Sequence, residues 1–286
     1  MKMYLCSGTG IIQKMNFKAK TKAFYKGIIF RMSAGNNPVF LSFYRHLYKP
    51  ARGSIDEFTS NFSRSRDKVT VVQIGANDGI NNDPIHKFIK RDNWQGVLLE
   101  PQKYVFDHFL KPLYTKTKGI TVLNAALDIK DGTKPIYKIA ISNSRWATGL
   151  TSFDRSVLEE KVISGEIDNQ ARKEGTPLPE NRNDYITEES VDCICTGTLI
   201  KTYNLEKIDW LQIDTEGFDF EIIKMFDIDS TKPEVIVYEN IHFSESLKNE
   251  CKAFLANHGY LFKDFGPNTL AMRTPATGFE YLFEKQ

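Results

Sequence analysis

The stretch "VTVVQIGANDGINNDPI", residues 69–85, joins an apolar, β-branched segment directly to a loop rich in Gly, Asn and Asp. The apolar part, residues 69–74, predicts a buried strand, because short continuous apolar runs are typical of parallel sheets. In an open α/β sheet, ligands bind outside the carboxyl ends of the strands. We therefore expect the loop that follows this strand to face a ligand.

Strand-like and helix-like segments alternate along the rest of the chain, which predicts an α/β fold with a mainly parallel sheet. Further strands are predicted at residues 96–100, 119–127, 207–214 and 233–240. Near the end, Gly266-Pro267-Asn268 separates two extended segments and predicts an antiparallel hairpin. Residues 142–189 interrupt the alternation, and this insertion is interpreted either as a lid or substrate element or as surface decoration.

The composition predicts a soluble globular protein, since 41% of the 286 residues are hydrophobic and 26% are charged. The sequence contains no run of about 18 uncharged apolar residues, so no membrane-spanning helix is predicted. Polar residues break the apolar run at the N-terminus, which argues against a secretory signal. The cysteines have neither metal-site nor disulfide spacing and are expected to be reduced thiols of a cytoplasmic protein: Cys6, Cys193, Cys195 and Cys251.

The positive charge is concentrated in residues 1–55, which contain ten Lys and Arg residues and no Asp or Glu. The rest of the chain carries 28 of the 38 basic side chains and all 36 acidic ones, so a basic arm is joined to an acidic body. The arm either docks on that body or contacts an anionic membrane surface or glycan, because aromatic and aliphatic residues alternate with its lysines. No nucleic-acid-binding motif is present.

The loop after the first predicted strand has features of a nucleoside site. Gly75 and Gly79 permit a tight turn and close approach of a ligand to the backbone, and Asn77 and Asp78 can bind a polar group. Glu100 ends the second predicted strand, where a carboxylate can accept hydrogen bonds from two ribose hydroxyls. Capping of the next helix is an alternative role for Glu100.

Two nucleoside ligands fit such a loop and acid, a dinucleotide and S-adenosylmethionine. The dinucleotide motif G-x-G-x-x-G requires glycine where this chain has Asn77 and Ile80. Asp78 would repel a pyrophosphate, whereas it suits the positive end of a methionine-bearing ligand. Asn124 and Ala125 lie at the tip of the third predicted strand and suit either an adenine ring or close packing of a helix. The loop therefore favours S-adenosylmethionine.

Five segments, "VVQIGANDG", "VLLEP", "LNAAL", "WLQIDTEGFDFEIIK" and "VIVYEN", together resemble the FkbM family of S-adenosylmethionine-dependent methyltransferases. The resemblance covers about residues 69–272 and implies a Rossmann-like class I methyltransferase fold, an α/β fold with a seven-stranded, mainly parallel sheet and an antiparallel last strand. It places a methyltransferase domain at residues 69–286, preceded by a basic N-terminal arm or helical extension at residues 1–68. The cofactor-binding residues that it implies are Gly75, Ala76, Asn77, Asp78, Gly79, Glu100, Pro101, Asn124 and Ala125.

Family members methylate hydroxyl groups, commonly of sugars, glycolipids or polyketides, and a hydroxyl needs a base or a metal ion to become a nucleophile. Candidate catalytic residues follow the fourth and fifth predicted strands: Asp214, Glu216, Glu239 and His242. The three carboxylates are also candidate ligands for Mg²⁺, and Asp214 and Glu216 could instead cap the following helix. His86 and His108 are expected at the surface.

These patterns predict an S-adenosylmethionine-dependent O-methyltransferase acting on a hydroxyl of a sugar, glycan, glycolipid or similar small molecule. Two alternatives remain open from sequence, a non-catalytic nucleoside-binding module and a nicotinamide-dependent oxidoreductase. The expected partners are a hydroxyl-bearing acceptor and, through residues 1–55, an anionic membrane surface, but no nucleic acid.

Overall fold

The computed structural model describes residues 17–283, with side chains from Phe24 onward. The strands are β1 Thr70–Ile74, β2 Gln95–Leu99, β3 Ile120–Leu123, β4 Ala126–Asp128, β5 Gly132–Ile139, β6 Thr151–Ser152, β7 Ile186–Cys195, β8 Trp210–Ile213, β9 Val235–Glu239, β10 Tyr260–Phe265 and β11 Asn268–Arg273.

Thirteen α-helical segments accompany these strands in the described residues: α1 Phe17–Ala34, α2 Pro38–Ser42, α3 Ile55–Arg64, α4 His86–Asp92, α5 Lys103–Val105, α6 Lys111–Tyr114, α7 Arg145–Thr148, α8 Arg155–Ile163, α9 Glu166–Glu174, α10 Thr196–Tyr203, α11 Asp219–Met225, α12 Ile228–Thr231 and α13 Glu245–Asn257. A π-helical turn, Phe43–Leu47, continues α2, and another, Phe106–Leu110, joins α5 to α6.

The main sheet has seven strands in the order β10-β11-β9-β8-β1-β2-β3. The pairs among β9, β8, β1, β2 and β3 are parallel, whereas β11 pairs antiparallel with both β9 and β10. The predicted mainly parallel sheet with an antiparallel last strand is therefore confirmed. Strand β1 lies inside the sheet, between β8 and β2, with four of its five residues buried, as its continuous apolar sequence requires.

A second sheet of four strands, in the order β4-β7-β5-β6, contains segments that the sequence analysis did not separate. The strand predicted at residues 119–127 is wrong as a single unit. Its first part is β3 at the edge of the main sheet, and its second part is β4, which pairs with β7. Strand β5 pairs with β7 over eight residues, and the insertion adds α7, β6, α8 and α9 around their core.

From Phe24 onward, the segment predicted as an arm packs on the body, which is one of the two roles expected for it. From α3, Phe58 and Phe62 are buried against Trp210, with ring centroids 6.0 and 5.6 Å from its ring. From α1, Ser33 lies 3.1 Å from Nε2 of His86. His86 is thus buried and not at the surface as predicted, because a helix more than fifty residues earlier covers it. His108 is exposed, as predicted.

No helix among residues 17–283 combines the length and the apolar character that crossing a bilayer requires.

Candidate active site

A cavity of about 780 Å³ opens at the carboxyl ends of β1, β2 and β8. One wall consists of the loops after these strands together with residues that follow β3. The insertion forms the facing wall, from Thr148 to Asp154 and along α8. Of the residues predicted to bind ligand or act in catalysis, those that line the cavity are Gly75, Asn77, Glu100, Pro101, Ala125, Asp214, Glu216 and His242.

Gly75 brings the β1 loop into close contact with the loop after β8. Its φ of 78° lies in the left-handed region that favours glycine, and a Cβ there would overlap the carbonyl oxygen of Asp214. The two loops can therefore meet only with glycine at this position. Ala76, the next residue, is buried in the core beneath the loop instead of facing the cavity.

Glu100 is 2% exposed and connects the tips of β1 and β2. Its Oε2 accepts a hydrogen bond from the backbone N–H of Asn77, and its Oε1 accepts one from Gln102, both at 2.8 Å. Each carboxylate oxygen can accept further bonds from a ligand in the cavity. Burial raises the pKa of the Glu100 carboxyl to about 7, although these hydrogen bonds oppose the shift.

Three predicted cofactor contacts lie elsewhere. The Asp78 carboxylate turns back into its own loop, where Oδ1 accepts from the N–H groups of Ile80 and Asn81. Gly79 packs against Leu110 and Leu113, so its missing Cβ serves helix packing. Asn124 donates from Nδ2 to the carbonyl oxygens of Glu100 and Pro101, at 2.9 and 2.8 Å. Asp78, Gly79 and Asn124 therefore stabilise the loops at the strand tips, and none of the three lines the cavity.

Asp83, which follows Asn81 and Asn82 in the loop, also directs its carboxylate to groups of the protein itself. Its Oδ1 accepts from the backbone N–H groups of Ile85 and His86, at 2.8 Å each, and its Oδ2 accepts from Gln73. Asp83 thus holds the start of α4 instead of reaching toward the cavity.

The four predicted catalytic residues converge at the tips of β8 and β9. His242 Nε2 lies 3.3 Å from Oε2 of Glu216 and 3.8 Å from Oε2 of Glu239. Glu216 has a φ of 55°, a left-handed conformation that is unfavourable for a side chain of its kind and that clusters at functional sites. Gly217 follows it and packs against the Cβ of His242. The strained turn thus aims Glu216 at His242.

Burial and mutual repulsion shift the proton affinities in this group. The pKa of Asp214 is raised well above its ordinary value by burial, then by the charges of Glu239, Glu216 and Asp219. The pKa of Glu239 is raised by the same kinds of cause. The pKa of His242 is raised chiefly by its hydrogen bond with Glu216, because the carboxylate stabilises the imidazolium.

Asp219 is completely buried and binds the loops that carry the candidate catalytic residues. Its Oδ2 accepts from the backbone N–H and hydroxyl of Thr215, and its Oδ1 accepts from the N–H of Glu239, at distances of 2.9–3.2 Å. Asp219 therefore ties the β8 loop to the end of β9. It is also the first residue of α11, where its negative charge suits the positive end of the helix dipole.

The residues suited to metal binding differ from the predicted set. Ligand atoms of Glu216, Glu239 and His242 lie within 4.8 Å of one another, whereas Asp214 does not join them. Mg²⁺ prefers an octahedral set of oxygen ligands, and a cluster in which one of the three groups is an imidazole does not fit that set.

Comparison with known families identifies the chain. The model of the methyltransferase FkbM domain matches residues 73–262, well over half of the sequence. The chain belongs to the FkbM methyltransferase family. This result makes the protein a methyltransferase, and the resemblance seen in the sequence is confirmed. No protein with a curated description is similar enough in sequence to match.

Solved structures similar to this FkbM methyltransferase are distant from it in sequence. An FkbM methyltransferase from Methylobacillus flagellatus KT is 13% identical, with 88% of this chain and 60% of that chain covered and a TM-score of 0.46. A precorrin-6y C5,15-methyltransferase from Geobacter metallireducens GS-15 is 15% identical, with 79% and 94% covered and a TM-score of 0.37.

Sequence reasoning gave no sign of Arg145, which lies at the start of α7 near the carboxylates of the FkbM methyltransferase site. Its charge acts on Glu100, Asp214 and Glu239, where it lowers each pKa against the effect of burial. Its Nη1 is buried and has no hydrogen-bond partner within residues 17–283. No motif marks Arg145, because it lies in the insertion and approaches the carboxylates only through tertiary packing.

Replacing Arg145 by Gln is expected to move the acidic limb of the methyltransferase pH–rate profile to higher pH. Without the guanidinium, the carboxyls of Glu100, Asp214 and Glu239 retain their protons to higher pH. Profiles of kcat/KM against pH would measure this shift. Arg155→Gln is the matched control, because Arg155 lies on the same insertion in an exposed pair with Glu159. An unshifted profile in Arg145→Gln would contradict the role.

Proposed function

We propose that this FkbM methyltransferase transfers a methyl group from S-adenosylmethionine to a hydroxyl of a sugar, glycan, glycolipid or similar small molecule. The observation that carries the proposal is the pairing of His242 Nε2 with Glu216 at 3.3 Å beside the cavity. A hydroxyl is a weak nucleophile at neutral pH, and this pair supplies the base that it needs.

The residues present fit the cofactor that the family uses. Gly75 leaves backbone access at the β1 tip, Glu100 offers a buried carboxylate for ribose hydroxyls, and Ala125 gives a small apolar wall for adenine. Asp214 faces the cavity with no hydrogen bond to its carboxylate from any described residue, and its charge suits a sulfonium. When bound, S-adenosylmethionine would supply an electrophilic methyl group for in-line transfer, with S-adenosylhomocysteine as the leaving group.

His242 acts as the base in this proposal. Glu216 accepts a hydrogen bond from the Nε2–H of the neutral imidazole, which leaves the lone pair on Nδ1. Nδ1 takes the proton from the acceptor hydroxyl as the bond to the methyl carbon forms. The carboxylates of Glu216 and Glu239 then stabilise the imidazolium. Positioning of the acceptor next to the base supplies the remaining rate enhancement.

The facing wall of the cavity suits a hydroxylated acceptor. It presents hydroxyls, carboxylates and an ammonium group from Thr151, Ser152, Asp154, Glu160, Lys161 and Ser164. Phe153 and Phe218 lie at the same cavity in an edge-to-face pair with ring centroids 6.5 Å apart. Aromatic faces beside hydrogen-bonding groups can bind both the apolar face and the hydroxyls of a sugar ring.

Transfer of label from methyl-labelled S-adenosylmethionine tests the proposed reaction. The protein is incubated with separated polar and lipid extracts, and labelled products are identified by mass spectrometry and NMR. The expected product carries the label in a methyl ether of a sugar. Label on nitrogen or carbon would contradict O-methylation, and cofactor binding without transfer to any fraction would favour a non-catalytic nucleoside-binding module.

A further inference from the structure

The N-terminal helices expose large apolar side chains that a folded domain ordinarily buries. Six of the thirteen such exposed side chains in the described part of the chain lie between residues 24 and 47: Phe24, Tyr25, Ile28, Val39, Phe43 and Leu47. We call these six the N-terminal apolar face. Val39 and Leu47 are each 70% exposed, and Phe24 is 72% exposed. Such a concentration marks an interaction surface.

Helical spacing places these residues in two stripes. Val39, Phe43 and Leu47 recur every four residues through α2 and the π-helical turn that continues it, so they share one side. Phe24 and Ile28 are also four residues apart on α1. Tyr25 of α1 and Tyr44 of the π-helical turn line the same cavity of about 550 Å³, so the two helical segments that carry the stripes lie beside one another.

The other sides of these helices hold them on the body. Phe40 is buried with its ring 6.1 Å from His86, and Phe30 packs edge-to-face on Phe109. Asn36 donates to the carbonyl oxygen of Lys116 and accepts from Lys90. The orientation of the helices is therefore fixed, and the N-terminal apolar face points away from the core.

Positive charge surrounds the apolar face without compensation from the body. Exposed basic residues in this part of the chain are Lys26, Arg31, Arg45, Lys49 and Arg52, and residues 24–55 contain no Asp or Glu. None of these five forms an ion pair with any carboxylate among the described side chains. Apolar and aromatic side chains beside unpaired basic residues are typical of helices that lie in the interface of an anionic membrane.

We propose that the N-terminal apolar face docks this methyltransferase on an anionic phospholipid membrane. Val39, Phe43 and Leu47 enter the interface between headgroups and acyl chains, while the basic residues contact lipid phosphates. Asp78 lines the same cavity as Tyr25 and Tyr44, and its neighbour Asn77 lines the candidate active site. Docking would therefore hold the catalytic cavity close to the membrane surface. The proposal does not depend on the identity of the acceptor.

Flotation of the full chain with vesicles tests the docking. Wild type is expected to float with vesicles of phosphatidylcholine and phosphatidylserine, and to float far less with phosphatidylcholine alone or at high salt. Combined Val39→Ser, Phe43→Ser and Leu47→Ser should reduce binding roughly tenfold or more, as should combined Arg45→Glu and Lys49→Glu. Ile129→Ser with Ile163→Ser is the matched control, because both residues are exposed outside the face.

Each result decides the proposal. Retained affinity for S-adenosylhomocysteine in every variant shows that the variants are folded and that docking is separate from the proposed reaction. Equal flotation with both kinds of vesicle would overturn the proposal, as would wild-type flotation of the triple serine variant. A wild-type dimer that the serine changes convert to a monomer, without binding to vesicles, would identify the face as a contact between two copies of the chain.

Discussion

Replacing Glu100 by alanine is expected to weaken S-adenosylhomocysteine binding by roughly a hundredfold to ten-thousandfold. The estimate follows from two charge-assisted hydrogen bonds to ribose hydroxyls at about 1.5–3 kcal/mol each. The N–H groups of Asn77 and Gln102 would also lose their acceptor. In the wild type, affinity should rise as the pH increases through about 7, because the Glu100 carboxyl then loses its proton. Calorimetric titration at pH values on both sides of 7 measures both effects.

Glu234→Ala is the matched control for this experiment. Glu234 pairs with Arg66 just before β9 begins, at the end of the strand opposite the candidate active site. Its loss should leave the affinity for S-adenosylhomocysteine unchanged. A Glu100→Ala variant that binds within about fivefold of wild type would contradict the ribose role, since fivefold corresponds to about 1 kcal/mol.

The second large effect is expected from His242→Ala, which should lower kcat by roughly a hundredfold to ten-thousandfold, the usual contribution of a general base. KM for S-adenosylmethionine should change little, because His242 is not among the residues proposed to contact the cofactor. In the wild type, kcat should rise with pH through a pKa above the ordinary value of 6.5, because Glu216 stabilises the imidazolium. Glu216→Gln removes that stabilisation and should move the rise to lower pH.

His258→Ala is a suitable control, because His258 ends α13 with its Nδ1 2.7 Å from the carbonyl oxygen of Phe254 and does not line the cavity. A His242→Ala enzyme with near wild-type kcat would contradict the assignment of the base. An unshifted pH profile in Glu216→Gln would contradict the stabilisation of the imidazolium by Glu216.

The sequence predicts those elements of this fold that depend on residues close together in the chain. The apolar run before Gly75 predicts a buried strand, and the parallel arrangement places Glu100 and Asp214 at the tips of the two strands that flank it. The hairpin around Gly266 followed from turn chemistry, and β10 and β11 pair across it. The meeting of Glu216, Glu239 and His242 also follows from the adjacency of β8 and β9.

The direction of a loop side chain was not predictable in the same way. Asp78 is a residue type that often contacts ligands, yet its carboxylate binds two backbone N–H groups of its own turn. Asn124 likewise satisfies two carbonyl oxygens at the β2 tip. Short polar side chains in loops compete for local backbone groups, and sequence does not show which partner prevails.

Contacts between distant segments account for the remaining differences. Strand β5 has a polar sequence, and only its eight-residue pairing with β7 makes it a strand. His86 is buried because α1 covers it, and Arg145 reaches the carboxylates because the insertion folds over the sheet. Each case depends on packing between elements that are far apart in the chain, where tertiary context overrides local preference.

A crystal structure of the complex with S-adenosylhomocysteine tests the central claim most directly. The account predicts ribose hydroxyls at roughly 2.6–3.2 Å from the Glu100 carboxylate. It also predicts that the sulfur faces Asp214, with an open path from the sulfur to the imidazole of His242. A nucleoside bound away from Glu100, or a sulfur directed away from the Glu216–His242 pair, would contradict it.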